Sequence, residues 1–515
     1  MQDVASNTRR IANNTLLLYT RLLFSLVVSL YSSRLVLSAL GETDYGVYNV
    51  VGGVVSMFSV VTSAISGAIS RFITFELGKN DKKKLSNLFS MSFCIQLVMS
   101  LVIVILVESI GVWFLNTKMN IPPERMRAAN WVLQFSMVSF VSSMLIVPYD
   151  AAIVAHEKMN FYSIIGILDV LLKLGTALLV ANSTFGDKLI IYAAALMICL
   201  FILQVLYICY CRKAFDECRL HKPVLDKNLF KELFGFASWN FFGSVISMLN
   251  GQGINIALNM FCGAAVNAAR GLAYTVNNII ANFVNNFMKA LNPQIIKAYA
   301  AKDIDYAKFL IFRGAKFSYF ILLVLGLPVM FEADFLINLW LVEVPDHTIN
   351  FVRMVLLLSF TDVLSNILGM AQSATGKIKN YQIVSSSIMS LNFIFSYLLL
   401  RFTDFPPECI YFVSVAVSVL MLISRNIFIN RYYGIPFSEY FKNVYLKLLT
   451  VTLAAAVIPF FIWSNMDDSL MRFGIVCFSC ILSSITTILF LGCNKTERVF
   501  ILDYAKSFLN NFKRH

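Results

Sequence analysis

Residues Cys94–Phe114 read CIQLVMSLVIVILVESIGVWF, and among these 21 residues only Glu108 carries a charge. At about 1.5 Å per residue, a helix of this length runs about 30 Å, the thickness of a bilayer's hydrocarbon core. Searching outward for stretches of roughly 17–25 mostly apolar residues gives about 14 such spans. Their centres fall near Ser25, Ser59, Val102, Val138, Leu171, Cys199, Ser247, Asn278, Val324, Leu357, Met389, Val417, Ala456 and Leu482. The whole chain agrees: of 515 residues, 58% are hydrophobic and 14% charged, and the mean hydropathy is +0.73. A soluble domain carries about 25% charged residues to keep its surface hydrated. Soluble, disordered and fibrous classes are excluded, and the expected fold is an all-α polytopic membrane protein.

The loops are short, and none is long enough to fold as a separate domain. The longest polar connector, Arg212–Lys231 (RKAFDECRLHKPVLDKNLFK), lies between the sixth and seventh spans, where a two-lobed transporter would join its halves. The chain also resembles itself. The junction after the fourth span, Ala155–Ile164, and the junction after the tenth, Ala374–Ile383, share Ala, Lys, Tyr and Ile at matching positions. A similar shift pairs SRFITFELGKNDKKKLSNLF (Ser70–Phe89) with PQIIKAYAAKDIDYAKFLIF (Pro293–Phe312). Six spans per copy preserve topology, so the expectation is two parallel pseudo-symmetric lobes. Their predicted limits are 1–222 and 223–440, with two further helices and a basic tail in 441–515.

The net charge of +13 sits mostly in short loops rather than in a nucleic-acid-binding patch. With the N-terminus inside, the inner segments carry roughly 30 Lys and Arg and the outer segments about 6. An even span count returns the C-terminus to the same side. The N-terminal segment lacks a small-residue cleavage site after its first apolar run and reads as a retained helix. The ten cysteines form no framework. Cys477 and Cys480 lie in an apolar run without a second pair, and the four histidines build no metal spacing.

Charged residues within spans face a partner or a wet cavity, because a charge at the bilayer centre costs about 2.5–3.5 kcal/mol on insertion scales. The candidates are Arg21 and Arg34 in the first span, Glu108 in the third, Asp169 and Lys173 in the fifth, Arg270 and Lys289 in the eighth, and Arg353 and Asp362 in the tenth. The cations recur at several depths, a ladder suited to an anion. Against this stands a structural reading. Arg34, Arg270, Arg353 and Lys289 could snorkel to an interface, and Asp169 with Lys173 could pair at i, i+4. Glu108, Asp169 and Asp362 are candidates for ion coupling, with interhelical hydrogen bonds as the alternative.

The eighth span holds the clearest pattern: Asn267, Arg270, Tyr274, Asn278, Asn282, Asn285, Lys289 and Asn292 recur at steps of three and four, with Asn277 and Asn286 widening the face. Amide side chains both donate and accept hydrogen bonds, which suits sugar hydroxyls, though asparagines buried between helices would show the same spacing. The matching second span offers Ser56, Ser59, Ser63, Ser66, Gly67 and Ser70 instead.

Enzyme motifs are missing. The nearest string to a phosphate-binding loop, SATGKIK at Ser373–Lys379, lacks its glycine-rich turn, and no histidine lies within a span. No cofactor is called for. An ion gradient (H+ or Na+) or the membrane potential remains as the drive.

The chain resembles the polysaccharide (O-antigen) flippase family, of a superfamily that also holds multidrug exporters and peptidoglycan lipid flippases. The resemblance rests on the N-terminal Asn-Thr with Arg21, GETDYGVYNVV (Gly41–Val51), SRFITFELGK (Ser70–Lys79), NPQIIKAYAAKD (Asn292–Asp303) and ATGKIKNY (Ala374–Tyr381). It implies two six-helix lobes around a cavity of alternating access, in a bacterial cytoplasmic membrane with both termini inside. It also implies a lipid-linked oligosaccharide substrate on an undecaprenyl diphosphate carrier, and contact with glycan-assembly proteins. The family's cationic cavity implies substrate roles for Arg21, Arg34 and Arg270; Lys173 joins them by position, and Asn278, Asn282, Asn285 and Lys289 by the amide stripe. The competing reading is an ion-coupled drug exporter of the same fold, against which the excess of intramembrane cations counts. A membrane glycosyltransferase is disfavoured by the short loops.

Overall fold

The computed structural model describes residues 2–56, 59–79, 81–117, 121–183, 186–219, 227–341 and 344–499, and every long element among them is a helix. Hydrocarbon dictates this, because without water each backbone N–H and C=O must pair within its own segment. α1 covers Gln2–Ser56, followed by α2 (Ser59–Lys79), α3 (Lys82–Leu106), α4 (Val112–Thr117), α5 (Met126–Ala155), α6 (Met159–Asn182) and α7 (Lys188–Ala214). Then come α8 (Lys227–Cys262), α9 (Ala264–Ala300), α10 (Ile304–Phe331), α11 (Ala333–Trp340), α12 (Thr348–Ala374) and α13 (Lys379–Phe402). The last are α14 (Cys409–Tyr433), α15 (Phe437–Tyr440), α16 (Leu446–Asn465) and α17 (Leu470–Thr487).

The chain is a multi-pass, all-α membrane protein. Among the described residues ten stretches are long and apolar enough to cross a bilayer: α3 with α4, α5, α6, α7, α10, α12, α13, α14, α15 with α16, and α17. The other expected spans fall on α1 with α2, on α8 and on α9, where polar residues break the apolar runs. In α1 the apolar stretch reaches only from Asn14 to Ser29. α1 is two helical arms joined at Gly41, whose φ of 78° and ψ of 167° lie in a region open only to glycine.

The chain groups into two compact units. One is Met1–Val245 with Asn292–Lys302, and the other is Ile246–Leu291 with Asp303–His515. In the first, α1 packs on α6, and α2 and α7 pack on α5. Val47, Val51, Val107, Val132, Leu133 and Leu189 are buried together there. Arg125 clasps Asp44 at 2.5 Å and Asp187 at 2.8 Å, tying the second arm of α1 to the start of α7. The C-terminal end of α9, which belongs to this unit, is held by Glu157, which accepts from Gln294 Nε2 at 2.5 Å and Lys297 Nζ at 2.7 Å.

In the second unit α12 packs on α10 and α14, α13 packs on α14, and the α16–α17 pair docks on α10. Arg472 of α17 reaches the buried Glu332 at 3.1 Å, and Tyr319 of α10 bonds Thr452 of α16 at 2.8 Å.

The internal resemblance has a local physical counterpart. Asp81 caps α3 by accepting from Lys84 N, and Asp303 caps α10 by accepting from Tyr306 N, each at 3.0 Å. At the other duplicated junction, Glu157 and Gly376 take matching places in the sequence and both have positive φ, 58° and 76°.

Candidate functional site

α9 sorts its amides by face. Asn278, Asn282 and Asn285, at steps of four and three, are exposed, while Asn286, Lys289 and Asn292 are half-buried. Asn277 is buried and accepts from Ser359 Oγ of α12 at 2.7 Å, the interhelical bond that was the alternative for the whole stripe. The pattern therefore divides into an exposed row and a structural anchor one residue away, about 100° around the helix.

Arg270 is buried, with 7% exposure. Its Nη1 donates to Asn255 Oδ1 of α8, its guanidinium lies 4.8 Å from the Tyr274 ring centroid, and Tyr411 of α14 lies beside it. These described partners are all neutral, and its Nε finds no acceptor among the described residues. A guanidinium in this state keeps an uncompensated positive potential, which is strong where water is excluded.

In the first unit Arg21 lies over Tyr162 of α6, 4.6 Å from the ring centroid. The close approach requires Gly166: any Cβ there would fall on Nε, Cζ and Cδ of Arg21. Tyr207 of α7 interacts electrostatically with Arg21, Tyr162 and Asp150. The side chains of Arg34 and Asn267 lie outside the described residues.

Lys173 is exposed and bonds Asp169 at 2.8 Å, so these two candidates form the i, i+4 pair. Glu108 is exposed in a wide helical turn, Val107–Gly111. Asp362 accepts from Ser418 Oγ of α14 at 2.6 Å and lies close to Arg425. Arg353 bonds Asp334 and the carbonyl of Met330, an anchoring role at the end of its helix.

Two arginines escaped the sequence reading. Arg71 of α2 is buried with its guanidinium 4.6 Å, 4.8 Å and 5.3 Å from the rings of Phe72, Phe75 and Phe236. Arg425 of α14 donates to Ser365 at 2.9 Å and lies 5.7 Å from the ring of Tyr381. Tyr381 is the duplicate of Tyr162, so each unit holds an arginine over the tyrosine of its junction, although the arginines come from helices of different rank. The signal that pointed to Tyr381 was the repeat; the same signal pointed to no arginine.

A cavity of about 340 Å³ in the first unit is lined by Glu76, Asp81, Lys82, His156, Asp216 and Glu217. His156 Nε2 lies 2.5 Å from Glu217 and stacks on Phe215. Burial pushes the Glu217 carboxyl up, but the His156 bond and the nearby Lys82 hold it below its ordinary 4.5. At Glu408 burial is likewise outweighed, by bonds from His347 at 2.8 Å and Asn350 at 3.0 Å. No group of His, Cys, Asp and Glu among the described residues has a metal-binding arrangement.

The comparisons follow the geometry. A family model described as polysaccharide biosynthesis protein matches residues 9–299, from α1 to the end of α9. The uncharacterized membrane protein EpsK of Bacillus subtilis (strain 168) is 21% identical over 296 residues. That match takes in 55% of this chain and 58% of EpsK, so the chain spans little more than half the length of this relative. An outward-facing multidrug resistance MATE family transporter of the MOP superfamily superposes with a TM-score of 0.71 at 12% identity, over 83% of this chain and 96% of that one. A MOP superfamily transporter from Pyrococcus furiosus, described by the reverse polarity of its binding pocket, gives 0.68 at 12% identity over 82% and 95%. At such identities the likeness is one of fold alone.

Proposed function

From the premise that this chain belongs to the polysaccharide biosynthesis protein family, we propose that it flips a lipid-linked oligosaccharide across the membrane by alternating access. The substrate we assign is an oligosaccharide on an undecaprenyl diphosphate carrier, moved from the cytoplasmic to the outer leaflet of a bacterial inner membrane with both termini cytoplasmic.

Arg270 carries this reading. Sugars and a diphosphate cannot cross hydrocarbon unaided, since each unpaired polar group costs several kcal/mol. A buried guanidinium with neutral described partners is a receptor for phosphate oxygens, which it can meet through parallel N–H donors. The exposed row Asn278, Asn282 and Asn285 shares its helix and supplies mixed donors and acceptors for hydroxyl groups. Arg21, steered by Gly166 and Tyr162, is the matching cation of the first unit, and we place Arg34, Lys173 and Lys289 as further steps for the anion. Asp362 is the coupling candidate with support from its surroundings, a carboxylate beside Arg425 and Ser418. Glu108 and the paired Asp169 remain secondary candidates. The drive is a proton or sodium gradient or the membrane potential.

The test is removal of the protein from its host. Accumulation of lipid-linked repeat units on the cytoplasmic leaflet is expected, with loss of surface polysaccharide. Unchanged glycan together with a gain in drug sensitivity would replace the flippase by a drug exporter of the same fold.

A further inference from the structure

Near the start of α16 and the turn that follows α17, four cations of the second unit gather around Glu497, and two of them, both from α10, contact it. Glu497 accepts from Lys316 Nζ at 2.8 Å and from Arg313 Nε at 3.1 Å. Lys316 and Glu497 are buried, so their charges are weakly screened. Lys447 of α16 donates at 2.9 Å to Asn494, a neutral partner. Arg498 donates to the carbonyls of Leu489 and Phe490, at 2.8 Å and 3.0 Å, in the wide turn that ends α17. Glu497 cannot neutralise all four.

The apolar surface beside these cations is of a different kind. Leu446, Leu449 and Leu453, at helical steps of three and four, are exposed on α16, and Phe490 and Leu491 are exposed at the end of α17. Phe490, next to Arg498, is 65% exposed. A ligand that suits both parts has a phosphate at one end and acyl chains at the other, and in a membrane protein such a ligand is lipid.

We infer that Lys447 and Arg498 form a binding site for the headgroup of an anionic phospholipid whose chains lie along Leu449 and Leu453. The lipid phosphate would supply acceptor oxygens beyond those of Glu497. Occupancy would hold the α16–α17 pair to α10, which Glu497 already ties through Lys316. This site lies outside the residues assigned to the transported substrate and takes a resident lipid rather than cargo.

The experiment uses the full-length protein, purified and reconstituted with either phosphatidylglycerol or phosphatidylcholine of the same acyl chains. Retained lipid is counted by native mass spectrometry and unfolding temperature is measured in parallel. Wild type should keep at least one phosphatidylglycerol more than the K447Q/R498Q variant, and its phosphatidylglycerol-dependent rise in unfolding temperature should be lost in that variant. The K447R/R498K variant, which keeps both charges, should retain the lipid, and K83Q/K213Q, which removes two exposed lysines of the first unit, should behave as wild type. Equal retention in K447Q/R498Q and wild type would overturn the site. So would an equal rise with phosphatidylcholine on wild type alone, a reading that survives even if the variant does not fold. Reproduction of the rise by inorganic phosphate would also overturn it, because the occupant would then be a free anion.

Discussion

Substitution of Gly166 by Ala separates the position of the Arg21 charge from its presence. The new Cβ would occupy the space now filled by the guanidinium, so the end of a flexible side chain must leave its seat over Tyr162. Giving up that cation–aromatic contact costs about 0.5–2 kcal/mol, depending on its desolvation. Replacing glycine by alanine inside a helix returns about 0.5–1 kcal/mol. The net change is about 1 kcal/mol or less, and a chain of this size should shift its unfolding temperature by no more than about 2 °C. Transport should respond far more. A charge-assisted hydrogen bond to phosphate is worth about 1.5–3 kcal/mol, so misplacing the donor should slow export by about one to two orders of magnitude. The assay is surface polysaccharide in cells whose own gene is replaced by G166A, with membrane abundance and unfolding temperature measured beside it. R21A is the reference. Export at the wild-type rate in G166A, with R21A inactive, would refute the positioning argument; full export in both would remove Arg21 from the transport path.

The other expectations are shorter. R270E should abolish surface glycan while leaving the protein inserted, whereas R270Q should retain a small fraction; glycan at wild-type level in R270E removes the residue from binding. N282L/N285L should reduce export without lowering the unfolding temperature, because both side chains are exposed; a loss of stability would mark them as packing residues. E497A leaves Lys316 buried without its carboxylate and should destabilise the second unit by about 3–5 kcal/mol, read as a lowered midpoint in denaturant. The Glu217 carboxyl is held below 4.5, so its stabilising contribution is complete above that pH and is lost as pH falls through the depressed value. Amide protection, relative to the intrinsic exchange rate, at the ends of α5 and α7 should therefore fall below about pH 4.5, and H156Q should flatten that dependence by removing the hydrogen bond that most lowers the Glu217 carboxyl.

The sequence was most informative where one helix explains a pattern by itself. Apolar runs of bilayer length placed ten of the fourteen expected spans among the described residues, and the duplicated junctions led to Glu157 and Gly376, where both copies turn through positive φ. The amide spacing located the face of α9 but could not separate Asn277 from Asn278, since the distinction comes from Ser359 on another helix. The pairing of Lys173 with Asp169 was visible because i and i+4 meet on one helix. Arg353 was not decidable in the same way, because its partners Asp334 and Met330 lie across a turn. Arg71 and Arg425 sit near the ends of their spans, where basic residues read as loop charge. Only the aromatic rings and hydroxyls around them mark them as interior groups.

The contrast between ten strongly apolar helices and the polar α1, α2, α8 and α9 bears on biogenesis. A segment such as α1, apolar only from Asn14 to Ser29 and interrupted there by Arg21, partitions weakly into lipid during synthesis. Its seat is on α6, which is made more than a hundred residues later. α1 should therefore settle only once α6 has been made, waiting at the insertion machinery for the partner that receives its arginine. Residues such as Gly166 would then govern yield in the membrane as well as transport.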